Sequence, residues 1–292
     1  MTVSTQTGFL AKKYGLVNAV EMLIEAGYDA IDLSITEIDS PPYVDGYKEV
    51  AEKLLNIAKK AGVKFIQAHA PFGTREQFMN EFMPHIPRAF EFCSMLGVEV
   101  IVIHPMIIKP YYGNEDEVFR LNLEFYRSLA PLAKKYGVKI GIENMWGFHS
   151  GAGLVIEDVF ADPREHARIF DELADPEAFT LCLDIGHSAI TKREPADAIR
   201  TLGRERLGAL HIHDLNYRED LHTLPGASKI NWQSVCEALA DIDYKGAYNL
   251  EADGFFKGFL PEHHKLVAKF MCDSSRIFAD KIERLKAENK AK

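Results

Sequence analysis

The chain has 292 residues, of which 47% are hydrophobic and 26% are charged, a composition typical of a soluble globular protein that buries its core without disulfide bonds. Its 34 basic and 43 acidic residues give a formal net charge of -9 at neutral pH. Because a field of this sign repels nucleic acid and anionic membranes, the charge argues against both as partners.

The sequence carries no signal for a membrane or for secretion. Its N-terminus lacks a charged segment followed by a long apolar run, and no apolar stretch approaches the roughly 20 residues that span a bilayer. The four cysteines are scattered and form no CxxC pair, which is typical of reduced, buried thiols: Cys93, Cys182, Cys236 and Cys272. We therefore expect a cytoplasmic protein.

One pattern recurs along the chain: a short apolar or β-branched run, a loop, and then an amphipathic stretch at helical spacing. The predicted strands are, in chain order, Val3–Thr7, Ala30–Ile35, Lys64–Ala70, Glu99–His104, Lys139–Glu143, Thr180–Asp184, Ala209–His213 and Ala247–Glu251. The predicted helices include Val17–Glu25, Lys48–Ala61, Gln77–Leu96, Glu117–Tyr136, Pro163–Leu173, Trp232–Ala240 and Glu262–Leu285. Glycine ends several of these helices just before the next strand, at the position that favours left-handed backbone: Gly27, Gly62, Gly97 and Gly137.

Strands that alternate with helices over about 285 residues predict a parallel sheet. A closed (β/α)₈ barrel, or TIM barrel, accounts for eight such units more simply than an open sheet does. No glycine-rich GxGxxG motif follows the first strand, which argues against a nucleotide cofactor. No linker or shift in composition divides the chain, so residues 1–292 are predicted to form a single domain with a helical tail that frays over about residues 281–292.

Ionisable side chains end six consecutive predicted strands, the third to the eighth. They are His69, His104, Glu143, Asp184, His211 together with His213, and Glu251. In a parallel barrel the C-terminal ends of all strands lie on one rim, where the active sites of such barrels are built. We therefore expect these side chains to line one cavity.

A single histidine or aspartate at a strand end is more often a hydrogen-bonded loop residue than a ligand. That explanation fits poorly with six consecutive strands, since gathered carboxylates repel one another and lose hydration unless a cation offsets both costs. A mixed set of imidazoles and carboxylates suits Zn²⁺, Mn²⁺, Fe²⁺ or Co²⁺. The sequence therefore predicts a divalent-metal site at the rim.

The loop after the seventh predicted strand holds a second polar cluster, with Asp214, Arg218, Asp220 and His222. Asp220 and His222 are two residues apart, so in extended backbone both point to one side. A lone D-x-H sequence in a polar loop is most often solvated. Because His187 follows Asp184 by three residues at the neighbouring strand end, the loop becomes a candidate for additional metal ligands.

These motifs together resemble those of the xylose isomerase-like barrel superfamily, which includes sugar phosphate isomerases/epimerases and the endonuclease IV type of AP endonuclease (AP endonuclease family 2). The resemblance covers nearly the whole chain. It depends on the order of seven motifs at the strand ends and in the loop, each named by its candidate residue: HAPFG (His69), VIHP (His104), IEN (Glu143), LDIGH (Asp184, His187), HIHD (His211), DLHTLPGASKINW (Asp220, His222) and LEAD (Glu251).

The resemblance implies two alternative metal sites. In the epimerases that the chain resembles, four ligands hold one divalent ion; they correspond to Glu143, Asp184, His211 and Glu251, and the two glutamates are also the catalytic acid/base pair. In the endonuclease branch three zinc ions use a larger set, which adds positions corresponding to His69, His104, His187, Asp220 and His222. All of these residue types are present, so we expect one metal ion and leave up to three open.

The HIHD motif places His211 and His213 on the same face of the strand. Aligning Asp214 with the acidic residue that follows the family's ligand selects His211 as the ligand, and His213 becomes a supporting or substrate-contacting residue. The other residues that we expect to bind substrate are His187, Arg218, Trp146 and Lys109.

The leading hypothesis for function is a metal-dependent isomerase or epimerase of a sugar, sugar phosphate or related polyol. A glutamate removes the proton next to a carbonyl, the metal stabilises the enediolate, and the other glutamate returns the proton. Inosose dehydratases resemble the same barrel and start from the same abstraction, so a lyase is a neighbouring alternative. We expect a small-molecule partner, no nucleic acid and no membrane, and a homo-oligomer is open.

The other alternative is a zinc phosphodiesterase that acts at abasic sites in DNA. Such an enzyme must neutralise several phosphates with lysine and arginine. The rim loops are instead acidic or neutral, at residues 37–39, 114–117 and 157–158. The ligand types permit this function, but the charge favours the isomerase or epimerase.

Overall fold

The structure is a computed structural model that describes residues 1–108 and 110–291. Within these residues eight parallel strands form one sheet, and a short antiparallel hairpin forms a second. The sheet contains, in chain order, β1 (Val3–Gln6), β2 (Ala30–Ser34), β3 (Lys64–His69), β4 (Val100–Ile103), β5 (Lys139–Glu143), β8 (Phe179–Asp184), β9 (Leu207–His211) and β10 (Tyr248–Leu250). The hairpin between β5 and β8 consists of β6 (Trp146–His149) and β7 (Leu154–Glu157).

The sheet closes into a barrel. The strands pair in the order β10-β1-β2-β3-β4-β5-β8-β9, and every pairing between them is parallel. The two outermost strands meet just beyond their ends, where Ile212 and Leu250 form a parallel bridge. Two backbone hydrogen bonds support this closure: Ile212 N–H donates to Asn249 O and Glu251 N–H donates to Ile212 O, each at 3.0 Å. The predicted (β/α)₈ barrel is confirmed.

Helices cover the outside of the barrel and return the chain from one strand to the next. The longer ones are Leu16–Ala26, Tyr47–Ala61, Ile86–Leu96, Glu115–Tyr136, Pro163–Leu173, Pro195–Arg206, Trp232–Asp241 and His264–Ala291, and two short ones are Gly8–Tyr14 and Ile185–Ile190. The four glycines predicted to end helices all have left-handed backbone, with φ of 98°, 70°, 73° and 65° at Gly27, Gly62, Gly97 and Gly137. No helix among the described residues is both long and apolar enough to cross a membrane.

Two predicted segments differ from the structure. The predicted helix Gln77–Leu96 is interrupted, and only Ile86–Leu96 is a regular α-helix. Residues 75–85 form short α, π and 3₁₀ segments, because Pro84 and Pro87 cannot donate the backbone hydrogen bonds of a continuous helix. The last helix extends beyond the predicted Leu285 and continues to Ala291, whereas the expected fraying over about residues 281–292 stays a prediction. Ile282 is fully buried there, and the buried Lys286 amine donates to the backbone oxygen of Tyr244, which holds this segment against the barrel.

The inside of the barrel is polar on one side. Val100, Val102, Cys182 and Ala209 of β4, β8 and β9 form a small apolar cluster. The strands β1, β2, β3 and β10 instead contribute a hydrogen-bonded set of buried polar side chains, Ser4, Asp32, Gln67 and Asn249. Bulky apolar side chains usually fill such barrels, so core packing alone does not explain this polar layer.

Candidate metal centre at the barrel mouth

The structure places His211 between two glutamates. Glu143 ends β5, His211 ends β9, and Glu251 follows β10 directly. The Nδ1 atom of His211 lies 2.9 Å from Glu143 Oε1 and 2.9 Å from Glu251 Oε2. The side chains of His211 and Glu143 are only 1% exposed, whereas that of Glu251 is 13% exposed. These side chains come from distant parts of the sequence and meet as the strand-end pattern predicted.

Asp184 completes the predicted ligand group at the end of β8. Its Oδ1 atom accepts a hydrogen bond of 2.6 Å from the backbone N–H of His187 and so caps the helix Ile185–Ile190. Its Oδ2 atom is buried without a hydrogen-bond partner among the described residues. Asn144 holds this strand end against that of β5, because its side chain accepts from Asp184 N–H and donates to Asp184 O.

Two further histidines contact the opposite carboxylate oxygen of Glu143. His104 Nε2 lies 3.0 Å and His69 Nε2 lies 3.6 Å from Glu143 Oε2, and the two Nε2 atoms are 3.1 Å apart. Phe72 stacks on the His104 ring, with the ring centroids 4.7 Å apart. Glu143 therefore presents one oxygen to His211 and the other to His69 and His104.

The polar loop after β9 brings a second group together beside the first. His187 Nε2 lies 3.7 Å from Asp220 Oδ2, and His222 Nε2 lies 3.1 Å from the same atom. His213 joins the two groups, with its Nε2 atom 3.1 Å from Asp184 Oδ1 and 3.6 Å from Asp220 Oδ1. The rings of His213 and His222 are stacked with their centroids 4.0 Å apart.

Buried hydrogen bonds hold this loop in place. The Asp214 carboxylate is fully buried and accepts from the backbone N–H groups of Gly226, Ser228, Lys229 and Ile230 and from the Trp232 indole. Asp214 thus anchors the loop and is not part of the ligand cluster. His222 has a φ of 44°, a left-handed conformation that costs a non-glycine residue free energy and is found more often at functional sites.

The histidines determine the charge of the two glutamates. Burial raises the pKa of Glu143, but the imidazoles of His211 and His104 outweigh it and hold the pKa well below its usual value. Burial also raises the pKa of Glu251, and His211 again lowers it further than burial raises it. Both side chains are therefore carboxylates at neutral pH, the form that binds a metal ion or accepts a proton.

The donor set fits a divalent cation. One ligand atom from each of Glu143, Asp184, His211 and Glu251 lies within 4.8 Å of the others. The same holds for two more groups, His69 with Glu143 and His211, and His187 with His213, Asp220 and His222. Buried carboxylate oxygens without a hydrogen bond, Asp184 Oδ2 and Asp220 Oδ1, are costly unless a cation satisfies them.

The residues expected to bind substrate lie in different surroundings. His187 is buried beside Asp220, and the Trp146 indole donates to Asp220 Oδ2 from the start of the β6–β7 hairpin. His213 is fully buried behind Asp184. Arg218 is exposed in the loop after β9. Lys109 lies outside the described residues.

Three features near the site were not predicted from the sequence. One is the β6–β7 hairpin, whose Trp146 reaches the candidate ligand cluster, and another is Asn144, although the IEN motif contains it. The third is Asp32, a buried carboxylate whose Oδ2 atom lies 3.9 Å from His211 Nε2. A lone aspartate within the apolar run AIDLS was the available signal for this residue.

Known proteins resemble this chain in sequence and in fold. The D-psicose 3-epimerase of Enterocloster bolteae is 30% identical over 236 residues, which are 76% of this chain and 73% of that protein. The inosose dehydratase of Erwinia tasmaniensis is 23% identical over 62% of this chain and 65% of that protein. The crystal structure of the IolI protein with a bound zinc atom has the same fold, with a TM-score of 0.75 and 19% identity over 98% of this chain and 99% of that one.

A family model that matches most of the chain identifies the family to which it belongs. Residues 20–266 match the model of the xylose isomerase-like TIM barrel, which spans most of the barrel and the helices around it. The match contains every strand end that contributes to the candidate centre. The chain therefore belongs to the xylose isomerase-like TIM barrel family.

Proposed function

We propose that the chain is a divalent-metal-dependent isomerase or epimerase of a sugar, sugar phosphate or related polyol. The convergence of Glu143 and Glu251 on His211, each 2.9 Å from its Nδ1 atom, carries this proposal. The two carboxylates come from β5 and β10, strands on distant sides of the barrel. Such a pair suits proton transfer at two faces of one carbon atom.

In the proposed reaction the carboxylate of one glutamate accepts the proton from the carbon next to a substrate carbonyl. The other glutamate takes up a proton from solvent and donates it to the resulting enediolate, and the first glutamate then releases its proton to solvent. If the proton returns to the opposite face, the configuration of that carbon is inverted. Both carboxylates are buried or nearly so, which keeps water away from the transferred proton and strengthens their interaction with the substrate. The low pKa of each glutamate keeps whichever one acts as the base in its carboxylate form before substrate binds.

Glu143, Asp184, His211 and Glu251 would hold the metal ion. A bound Mn²⁺, Zn²⁺, Co²⁺ or Fe²⁺ supplies Lewis-acid stabilisation of the negative charge that develops on the substrate oxygens. The IolI protein, which has the same fold, binds a zinc atom in its crystal structure, and this supports a divalent ion in the proposal. We propose His187, His213, Trp146, Arg218 and Lys109 as the substrate-binding residues.

The names of two relatives support small carbonyl-containing polyols as the proposed substrates. One relative is named for epimerisation at carbon 3 of a ketose, and another for dehydration of an inosose. A lyase that starts from the same proton abstraction is the variant of this proposal that the second relative supports. Both reactions use a carboxylate base, so the proposed roles of Glu143 and Glu251 hold for each.

The test is an assay of chelator-treated protein reconstituted with one metal at a time. Mn²⁺, Zn²⁺, Co²⁺ and Fe²⁺ are each added before incubation with a panel of ketoses, ketose phosphates and inososes. We expect turnover of at least one substrate that requires added metal. Metal-independent turnover, or none with any member of the panel, contradicts the proposal.

A second candidate function is a zinc phosphodiesterase for abasic DNA, with up to three metal ions. The observation in its favour is that His69, His104, His187, Asp220 and His222 all surround the four central ligands. Against it, the rim residues Glu37, Asp39 and Glu115 are exposed and acidic, which opposes a DNA backbone. Elemental analysis distinguishes the two, because close to three equivalents of zinc favour the nuclease and one equivalent favours the epimerase.

A further inference from the structure

We propose that Asp32 is a positioning residue that accepts the Nε2–H of His211 and thereby keeps Nδ1 free to bind the metal ion. This inference rests on the proposed metal site. It concerns a carboxylate inside the barrel, on the side of the imidazole away from Glu143 and Glu251. Asp32 does not touch the substrate in this proposal.

The two ring nitrogens of His211 have different surroundings. Nδ1 lies 2.9 Å from both glutamates, so it is the atom that faces the candidate metal position. Nε2 faces Asp32, with Oδ2 at 3.9 Å. A neutral imidazole carries one proton, so Nδ1 can act as a ligand only when the proton is on Nε2. An acceptor behind Nε2 selects that form, as carboxylates commonly do behind metal-binding histidines.

An irregularity in the pairing of β2 with β3 determines the position of Asp32 in the barrel. The pairing of β2 with β3 shifts between Ile31 and Asp32, so that Ile31 lies opposite Phe65 and Asp32 opposite Gln67. Such irregularities redirect side chains and are common beside active sites. Gln67 Nε2 and Asn249 Nδ2 both donate to Asp32 Oδ2, at 2.9 Å and 2.7 Å.

Packing alone gives no reason for a carboxylate here. Asp32 is 1% exposed, its Oδ1 atom has no hydrogen-bond partner among the described residues, and both donors to Oδ2 are neutral amides. Burial of such a group is costly, and apolar side chains of similar volume usually stabilise a core at least as well. The nearest imidazole nitrogen is that of His211, and an approach of about 1 Å brings it to hydrogen-bond distance.

The other candidate acceptor for the Nε2–H of His211 is the thiol of Cys182, which also contacts the imidazole in the barrel interior. A thiol is a weak acceptor compared with a carboxylate, so we assign the role to Asp32. The two assignments predict different results for Asp32 and Cys182 variants, which makes the choice testable.

The test uses the purified full chain loaded with Zn²⁺ and three sets of variants. Asp32→Leu removes the acceptor, and Asp32→Asn keeps a neutral, weaker one. Cys182→Ala removes the thiol. Gln67→Met is the matched control, because it removes one donor to Asp32 and leaves both Asp32 and His211 in place.

The first measurement is the ¹H–¹⁵N spectrum of the histidine rings. In the wild type and in Cys182→Ala we expect a downfield, slowly exchanging Nε2–H signal from His211. In Asp32→Leu this signal should move upfield and exchange quickly, a change that a merely structural role of Asp32 does not predict. A signal that is unchanged in Asp32→Leu, or that is lost in Cys182→Ala, overturns the proposal.

The second measurement is the affinity for Zn²⁺ alone, by competition with a chelator, beside thermal unfolding of the metal-free proteins. We expect a 10–100-fold loss of affinity in Asp32→Leu and a smaller loss in Asp32→Asn. Gln67→Met should stay within about threefold of the wild type, since it leaves the acceptor of the Nε2–H in place. Equal losses in Gln67→Met and Asp32→Leu overturn the proposal. Neither measurement depends on turnover, so failure to find a substrate does not affect it.

Discussion

The ring of His213 lies directly against the α-carbon of Gly186. A β-carbon at position 186 would be 2.0 Å from Cε1 and 2.3 Å from Nε2 of that ring. The His213 ring cannot shift to accommodate this β-carbon, because it is fully buried and stacked on His222. The contact between His213 and Asp184 therefore requires glycine at position 186.

Gly186→Ala should displace His213 and with it the carboxylate of Asp184. We expect Zn²⁺ affinity to fall by at least about tenfold, the loss seen when groups that support metal ligands are removed. Gly258→Ala is the matched control, because no atom lies within 4 Å of a β-carbon there. Unchanged affinity in Gly186→Ala, with a normal thermal transition, contradicts this account of the contact.

Asp184 has two roles that substitutions can separate. Asp184→Asn keeps an oxygen to cap the helix Ile185–Ile190 but loses the charge, so we expect weak metal binding and nearly normal stability of the metal-free protein. Asp184→Ala loses the cap as well, which costs about 1 kcal/mol more. Metal titration and urea unfolding of the metal-free proteins measure the two effects. Full metal occupancy in either variant contradicts the assignment of Asp184 as a ligand.

Glu143→Gln and Glu251→Gln should separate proton transfer from metal binding. Each keeps an oxygen ligand but cannot accept the proton, so turnover should fall by about 10²–10⁴-fold while metal binding is weakened but present. Turnover is measured at saturating metal, with metal content checked in the same sample. Wild-type turnover in either variant removes that glutamate from the proposed acid/base pair.

His166 should make stability depend on pH. Burial lowers the pKa of His166 from 6.5 to about 4, although its hydrogen bond to the backbone oxygen of Ile142 opposes this. Between these values the unfolded chain binds a proton that the folded chain does not, so the free energy of unfolding rises with pH. This contribution of His166 to the free energy of unfolding is fully present above about pH 6.5 and is lost as the pH falls through about 4. It amounts to roughly 3 kcal/mol at most.

Urea unfolding of the metal-free protein from pH 4 to 7 measures this slope. His166→Gln should flatten it, whereas the same change at the exposed His263 should leave it as in the wild type. Equal slopes in His166→Gln and the wild type contradict the prediction.

The sequence predicted the barrel, and the side chains that meet at its mouth, where local and global signals agree. Apolar runs ending in His69, Glu143 or Asp184 are both strands and candidate ligand positions, so one pattern indicated both. The closure between Ile212 and Leu250 follows once eight parallel strands are counted. Glycines such as Gly27 ended helices as expected, because their left-handed backbone is a local property.

The remaining features depend on contacts that no local pattern encodes. Asp214 looked like one more acidic residue of the loop, and only the folded backbone of residues 226–230 shows that it accepts their N–H groups. Asp32 is a single polar residue in an apolar strand, and its contact with His211 spans 179 positions of sequence, from 32 to 211. Pro84 and Pro87, which interrupt the predicted helix, were visible in the sequence but were outweighed by its helical periodicity.

Solvent deuterium tests the central claim most directly. The metal-loaded protein is incubated in deuterated water with the panel of ketoses, ketose phosphates and inososes, and the products are analysed by mass spectrometry and NMR. We expect one deuterium at the carbon that changes configuration or loses its proton, and incorporation slowed by about 10²–10⁴-fold with Glu143→Gln or Glu251→Gln. An isomerised product without solvent deuterium, or multiple-turnover incision of an abasic DNA duplex without turnover of any sugar, contradicts it.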